Sequence, residues 1–369
     1  MSSRREPFVS VLTPVYNGED FLAECIESVL SQTYGNFEYI IVNNRSTDRS
    51  LEIALEYEKK DSRIRVHNNE QFVGVIENHN IAFSLMSPSA KYCKVVSADD
   101  YIFSDCLMKM VQLAEANPSV GIVGSYQLSG DQVRWQGFRY PQNVFPGHEI
   151  CRQIFLGNDK SFGFGSPTSI MYRADLVRSS KAFYPNPSPH ADTSACFEHL
   201  RNSSFGFVYQ VLCYERTHAA TQTSKSKEIE RYSSAYLSDM NHYGSLYLSK
   251  GELDCQVQKL LKTYHRFLAV DYFVGFRSKA FWDYHRSRLE ELGYPLSRFS
   301  LFRAGLSALL EEVLNPGQSV KKLRKRIRPE SAKLAVPAAQ PNTGNLETSC
   351  DGDVSKDPQS PELARGTRS

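Results

Sequence analysis

The chain reads as an α/β protein: a mostly parallel sheet covered by helices, followed by a helical extension. Three observations lead there. From residue 8 to residue 125, short apolar runs alternate with segments whose apolar positions recur at helical spacing, which is the rhythm of βαβ units. With 41% hydrophobic and 12% aromatic residues over 369 positions, the chain can bury a large core. The polar clusters Tyr16-Asn17, 43–48 and Asp99-Asp100 each follow an apolar run, where open parallel sheets place their ligand loops.

Residues 8–13 (FVSVLT) form a first strand, stopped by Pro14, and Asn17-Gly18 then breaks the chain. Over 19–32, Phe21, Leu22, Cys25, Ile26, Val29 and Leu30 share one helical face, with Glu19 and Asp20 in the first turn, where the dipole favours acids. A second strand spans 37–42 (FEYIIV), and Ser46, Thr47 and Asp48 can cap a helix running through Tyr57. Residues 64–67, 92–96 (YCKVV) and 120–125 continue the strands; 78–86 and 104–116 supply helices. The stretch 133–161 is irregular, and FGFGSP at 162–167 reads as a flexible loop. A strand at 169–172, a helix at 193–200 and a strand at 206–214 close the first region.

Three regions follow: 1–224 for the α/β domain, 225–328 for a helical extension rich in Tyr, Phe and Leu, and 329–369 for a tail whose composition is that of disorder. The extension leaves two uses open, a homodimer surface or an acceptor platform. Forty-three basic against forty-one acidic residues give a net charge of +2, so no global field draws nucleic acid. Mean hydropathy is −0.41, and no apolar run approaches the ~18–20 residues of a membrane span. The eight cysteines form no CxxC pair, which suits reduced thiols in a cytoplasmic protein.

Asp99-Asp100 is the most informative pair. Two adjacent carboxylates after an apolar strand are costly to bury without a cation, and hard oxygen ligands suit Mg²⁺ or Mn²⁺. The same pair also reads as a solvated turn, and these two residues alone leave both readings open.

The surrounding motifs narrow the choice. VSVLTPVYN, then SQTY at 31–34, then NNRSTD at 43–48, then VVSADD at 95–100 resembles the family 2 glycosyltransferases over about residues 8–220. The resemblance implies a GT-A fold, a Rossmann-like sheet flanked by helices, and inverting transfer of a sugar from a nucleotide-sugar donor, UDP-linked, to an acceptor hydroxyl. It implies donor-binding roles for Pro14, Tyr16, Asn17, Asn44, Ser46, Asp99 and Arg216. It assigns the metal, Mg²⁺ or Mn²⁺, to Asp100 and His218. It makes Asp192 the base, with His190 and Glu198 as weaker alternatives. The chain departs from the family pattern at Asn43 and Asn44, which replace carboxylates, at Arg45, which replaces a small residue, and at Ser97, which replaces an Asp.

The resemblance further implies cell-surface polysaccharide or glycolipid synthesis, with a saccharide or lipid-linked acceptor. Residues 321–328 (KKLRKRIR) carry six basic groups after an apolar-periodic segment at 299–314. They read either as a solvated helix end or as a peripheral contact with the inner face of a membrane. The carboxylate replacements keep a second function in view, a non-catalytic nucleotide-sugar binder. A nucleotidyltransferase would need a Gly-rich loop after the first strand, where this chain has PVYNGEDF.

Overall fold

The computed structural model describes residues 6–157, 162–185, 188–217, 231–274 and 277–314. The chain divides into two compact units, Met1–Glu311 and Glu312–Ser369. The elements belong to the first unit, apart from the last turn of the final helix. The expected tail at 329–369 and the basic run at 321–328 lie outside the described residues.

Ten strands make one sheet: β1 (Val9–Val15), β2 (Phe37–Asn43), β3 (Ile64–Asn68), β4 (Tyr92–Val95), β5 (Tyr101–Ile102), β6 (Val120–Ser129), β7 (Gln132–Arg134), β8 (Val144–Pro146), β9 (Ile170–Arg173) and β10 (Ser204–Glu215). The order is β3-β2-β1-β4-β9-β6-β10-β5, with β7 on β6 and β8 on β10. β3, β2, β1 and β4 run parallel. β9 lies antiparallel between β4 and β6, and β10 runs parallel to β6.

The pleat sorts the apolar residues into two cores. On one face, Val9, Val11, Val15, Tyr39 and Ile41 pack against α1 (Leu22–Leu30), α2 (Ser50–Lys60) and α4 (Cys106–Ala116). On the other face, Leu12, Ile40 and Val42 pack against α3 (Val75–Ser84), α5 (Gly147–Leu156) and α7 (Ala191–His199). A short α6 spans Ala174–Arg178. The C-terminal helices α8 (Arg231–Tyr247), α9 (Lys250–Val274), α10 (Lys279–Glu291) and α11 (Arg298–Leu314) feed Leu237, Leu268, Leu289 and Leu301 into that second core. None of the described helices is long and apolar enough to cross a membrane.

The fold corrects several local expectations. β1 continues through Pro14 to Val15. The Val15 carbonyl faces β2, where it accepts from Asn44. Pro14, one residue earlier, therefore directs its missing N–H towards β4, whose pairing with β1 ends at Leu12. No ladder bond is lost. The irregular stretch 133–161 contains β7, β8 and α5; the helix puts Ile150, Cys151 and Phe155 inside, and Gly157 ends it in the left-handed region at φ 63°. The FGFGSP segment is packed rather than flexible: Phe164 is buried, and a Cβ on Gly163 would lie 2.3 Å from the Trp135 ring.

Candidate active site

The carboxyl ends of β1 and β2 are cross-braced by short polar side chains. Asn17 and Arg45 adopt left-handed φ angles of 50° and 57°, turning each loop sharply as it leaves its strand. The Asn17 backbone N–H donates to Ser46 Oγ (3.0 Å), and the Thr47 N–H donates to Asn17 Oδ1 (2.9 Å). The Gly18 N–H donates to Ser50 Oγ (2.8 Å), and the Glu19 N–H to Asp48 Oδ2 (3.0 Å). Burial pushes the Asp48 carboxyl up, but bonds from the Ser50 hydroxyl and from the backbone N–H groups of Glu19 and Ser50 outweigh it and hold the group below its ordinary range. Asn17 and Ser46 therefore fix loop shape with the groups expected to meet a donor.

Asn44 behaves likewise. It is buried; its Nδ2 donates to the Val73 carbonyl (2.8 Å), and its Oδ1 accepts from the Val73 N–H (2.9 Å) and Asn69 Nδ2 (3.1 Å). Both ends of the amide hold the loop between β3 and α3, so a donor-binding role for Asn44 would run through the loop it holds. What the loop presents is Phe72, 62% exposed. Its ring lies 4.8 Å from that of Tyr16, itself 49% exposed. Two solvent-facing aromatics thus stand at the mouth of the site, and Pro14 lies half-buried in β1 behind Tyr16.

The paired acids sit one strand further on. The Asp100 carboxylate accepts from Thr168 Oγ1 (2.6 Å) and from the Arg216 backbone N–H (3.0 Å). Burial, and secondarily the charge of Asp99, push its pKa up to about 8. Asp99 is half-buried beside it. Ser97, where a further carboxylate was expected from the family pattern, instead joins the Thr168 hydroxyl through its own N–H (3.1 Å). Arg216 is clamped in place. Its Nε donates to the Asp99 carbonyl (3.0 Å), its Nη2 meets Glu24 of α1, and its guanidinium lies 4.5 Å over the Phe21 ring. Beneath the pair, fully buried Lys94 donates its ammonium protons to the carbonyls of Val95, Thr168 and Ile170. That tie fastens β4 to the 3-10 turn (Pro167–Ser169) that carries Thr168.

These groups share one edge of the sheet. Gly18 stands against Ala98, within about 4 Å for an added Cβ, and Cys25 Sγ reaches the Ser97 carbonyl. Tyr16, Asn17, Asn44 and Ser46 follow the carboxyl ends of β1 and β2, and Asp99 and Asp100 follow that of the neighbouring parallel strand β4. His218 lies outside the described residues. Among the described residues, no three His, Cys, Asp or Glu side chains are grouped to hold a cation.

Asp192 belongs to a different neighbourhood, the first turn of α7. Its Oδ1 accepts from the Thr193 N–H (2.8 Å). Burial pushes its pKa up to about 6; the Thr193 N–H and the nearby His190 oppose the shift. Burial raises the phenols of Tyr172 and Tyr184, and the nearby Asp192 charge adds to both shifts. Glu198 points to solvent. His190 is the helix-capping residue, without a capping side-chain bond. Its Nδ1 lies 3.1 Å from Asp239 Oδ2, and Asp239 Oδ1 accepts from Ser194 Oγ (2.6 Å). Asp239 is buried and comes from α8, so the C-terminal helices orient the start of α7.

Phe72, Thr168, Lys94 and Asp239 are absent from the sequence-derived site. Lys94 carried a readable signal, a lysine inside an otherwise apolar strand run; the others sit in segments with no local motif.

Comparison with known proteins accounts for this layout. Residues 10–179 match the sequence model of Glycosyl transferase family 2. The chain is 27% identical over 263 residues to EpsJ of Bacillus subtilis (strain 168), described as an uncharacterized glycosyltransferase; the match spans 68% of this chain and 75% of EpsJ. Among solved structures, S. aureus TarS 1–349 in complex with UDP-GlcNAc superposes with TM-score 0.55 at 18% identity, over 77% of this chain and 80% of TarS. The mannosyltransferase PcManGT from Pyrobaculum calidifontis, in complex with GDP-Man and Mn²⁺, superposes with TM-score 0.51 at 14% identity, over 83% and 88%. At those identities the structural likeness is one of fold. The sequence match adds the activity: with the family 2 model matching residues 10–179 and glycosyltransferases among its relatives, the chain is a glycosyltransferase with a GT-A-like fold.

Proposed function

We propose that this glycosyltransferase moves a sugar, with inversion, from a UDP-linked donor to a hydroxyl of a saccharide or lipid-linked acceptor in cell-surface polysaccharide or glycolipid synthesis. The observation that supports the reading is an exposed aromatic pair, Tyr16 and Phe72, on the loops after β1 and β3, with the acids Asp99 and Asp100 on the loop after β4 at the same carboxyl edge of the parallel strands. A nucleoside diphosphate has a flat base at one end and a charged diphosphate at the other. Tyr16 and Phe72 would flank the base, Asp99 would bind the ribose, and Asn17, Asn44 and Ser46 would hold the loops that shape the cleft. The UDP and UDP-GlcNAc complexes of TarS support a uridine donor.

The donor set fits a weak divalent site. Asp100 is buried beside another acid and has a raised pKa, so a cation there would favour its ionised form. Asp100, with His218, would hold Mg²⁺ or Mn²⁺, which supplies charge neutralisation for the departing diphosphate. Arg216 would add its charge behind Asp99. Asp192, at about pH 6, is matched to accept the acceptor hydroxyl's proton near neutrality. In this reading the protein works in the cytoplasm, at the inner face of the membrane when its acceptor is lipid-linked.

The test is a thermal-shift screen against UDP-, GDP-, CMP- and dTDP-sugars with Mg²⁺ or Mn²⁺. A ligand at about 100 times its dissociation constant adds ~2.7 kcal/mol to stability. A shift with UDP-sugars that Mn²⁺ strengthens, and that Asp100→Ala weakens, is the expected result. No shift with any of the four donors removes the reading, and a shift indifferent to Mn²⁺ removes the metal.

A further inference from the structure

The last helix of the described chain carries an unpartnered apolar face. On α11, Phe299, Phe302, Leu306 and Leu310 are 73, 59, 48 and 53% exposed. At 100° per residue they lie within an arc of about 80°, a single stripe along the helix. The opposite side is occupied: Leu301 and Gly305 are buried against the second core. The stripe is therefore not the helix's attachment to the protein but what remains after attachment. Arg298 and Arg303, both exposed, flank it.

We propose that this face of α11 lies on an anionic lipid surface. Three observations choose that occupant. The stripe is narrow and aromatic-aliphatic, with arginines at its margins, which is how interfacial helices seat their apolar side among acyl chains and their basic groups among headgroups. The chain beyond the helix continues into residues 321–328, with six basic groups in eight positions. A negatively charged leaflet attracts such a run, and one apolar stripe plus one polybasic run supplies the two signals that stable attachment takes. The helix is also too short and too polar to span a bilayer, so it rests on the surface. The inference rests on the proposed transfer only for its purpose, bringing the site to a lipid-linked acceptor; its evidence is the stripe itself.

The experiment is co-sedimentation of the full chain with vesicles of phosphatidylcholine alone and of phosphatidylcholine with phosphatidylglycerol in equal amounts, at low and high salt. Binding to the mixed vesicles only, weakened by salt, is expected. The double variant Phe299→Glu/Phe302→Glu, at positions too exposed to carry the core, should reduce binding at least about tenfold. Replacing the six basic residues of 321–328 with Gln should reduce it similarly while leaving the α11 stripe in place. No binding to mixed vesicles, or binding that the double Glu variant leaves unchanged, overturns the proposal. So does a dimer, seen by light scattering, that the double Glu variant dissociates in a protein that ignores vesicles, because the face then belongs to a second copy. The UDP-sugar thermal shift of the same variant is read in parallel: its absence in both parent and variant counts against the donor reading and leaves the vesicle result standing.

Discussion

The region of the proposed donor-binding residues and the region of the proposed base are built by different means. On the donor side, the loops after β1 and β2 are locked by side chains only a few residues from their own strands: Asn17, Ser46, Asp48 and Ser50 bond to backbone N–H groups across a gap of about 30 positions. On the side of Asp192, aromatic packing and two long-range carboxylate bonds do the positioning, with Tyr172 from β9, Tyr184 from the loop before α7 and Asp239 from α8. The first kind of construction writes itself into a compact motif. The second spreads over residues 172–239 and leaves no local pattern. A motif can thus announce a donor site while saying little about the acceptor chemistry that distinguishes one transferase from another.

Substitutions can break or sharpen that contrast. The largest effect is expected from Asp192→Asn, which should lower transfer by at least ~100-fold and leave the donor-induced thermal shift intact. Equal loss of both would mean that the two regions are not separable. Next comes Lys94→Met. It leaves the carbonyls of Val95, Thr168 and Ile170 without their donor in a dry interior, and should cost about 2–3 kcal/mol in urea unfolding. A cost near zero would show that the tie beneath Asp100 is dispensable.

Phe72→Ala should weaken donor affinity about tenfold, within the ~1–3 kcal/mol of one base–aromatic stack, with little change in kcat at saturating donor. Unchanged affinity would take Phe72 out of the cleft wall. The smallest effect concerns pH. A base must be ionised to act, so the rate should rise with pH through about 6, where Asp192 titrates. The nearby His190 favours the ionised form of Asp192, and His190→Gln should move that limb upward by a fraction of a pH unit. A downward movement would contradict the geometry.

The parallel half of the sheet was legible because its strands are apolar runs bounded by Asn, Gly and Asp, and its helices keep strict spacing. What escaped was decided by tertiary context. Pro14 reads as a strand end, yet it faces the side where β4 no longer pairs. Helix α5 was hidden in a stretch judged irregular, although Ile150, Cys151, Ile154 and Phe155 hold helical spacing. Asn44 sits where a base-reading residue was expected, and its amide bonds to Val73. The aromatic beside Tyr16 arrives instead from the loop that Asn44 holds.

The position of β9 has a consequence for biosynthesis. It lies antiparallel between β4 and β6, although it is made some fifty residues after β6 begins. A nascent chain that has emerged only through β6 therefore leaves one edge of β4 and both edges of β6 open, with no earlier segment to cover them, the condition under which sheets pair with the wrong neighbour. Truncation of the chain between residues 130 and 165 would make that condition permanent. Fragments ending there should be recovered as aggregates rather than as a free nucleotide-binding module.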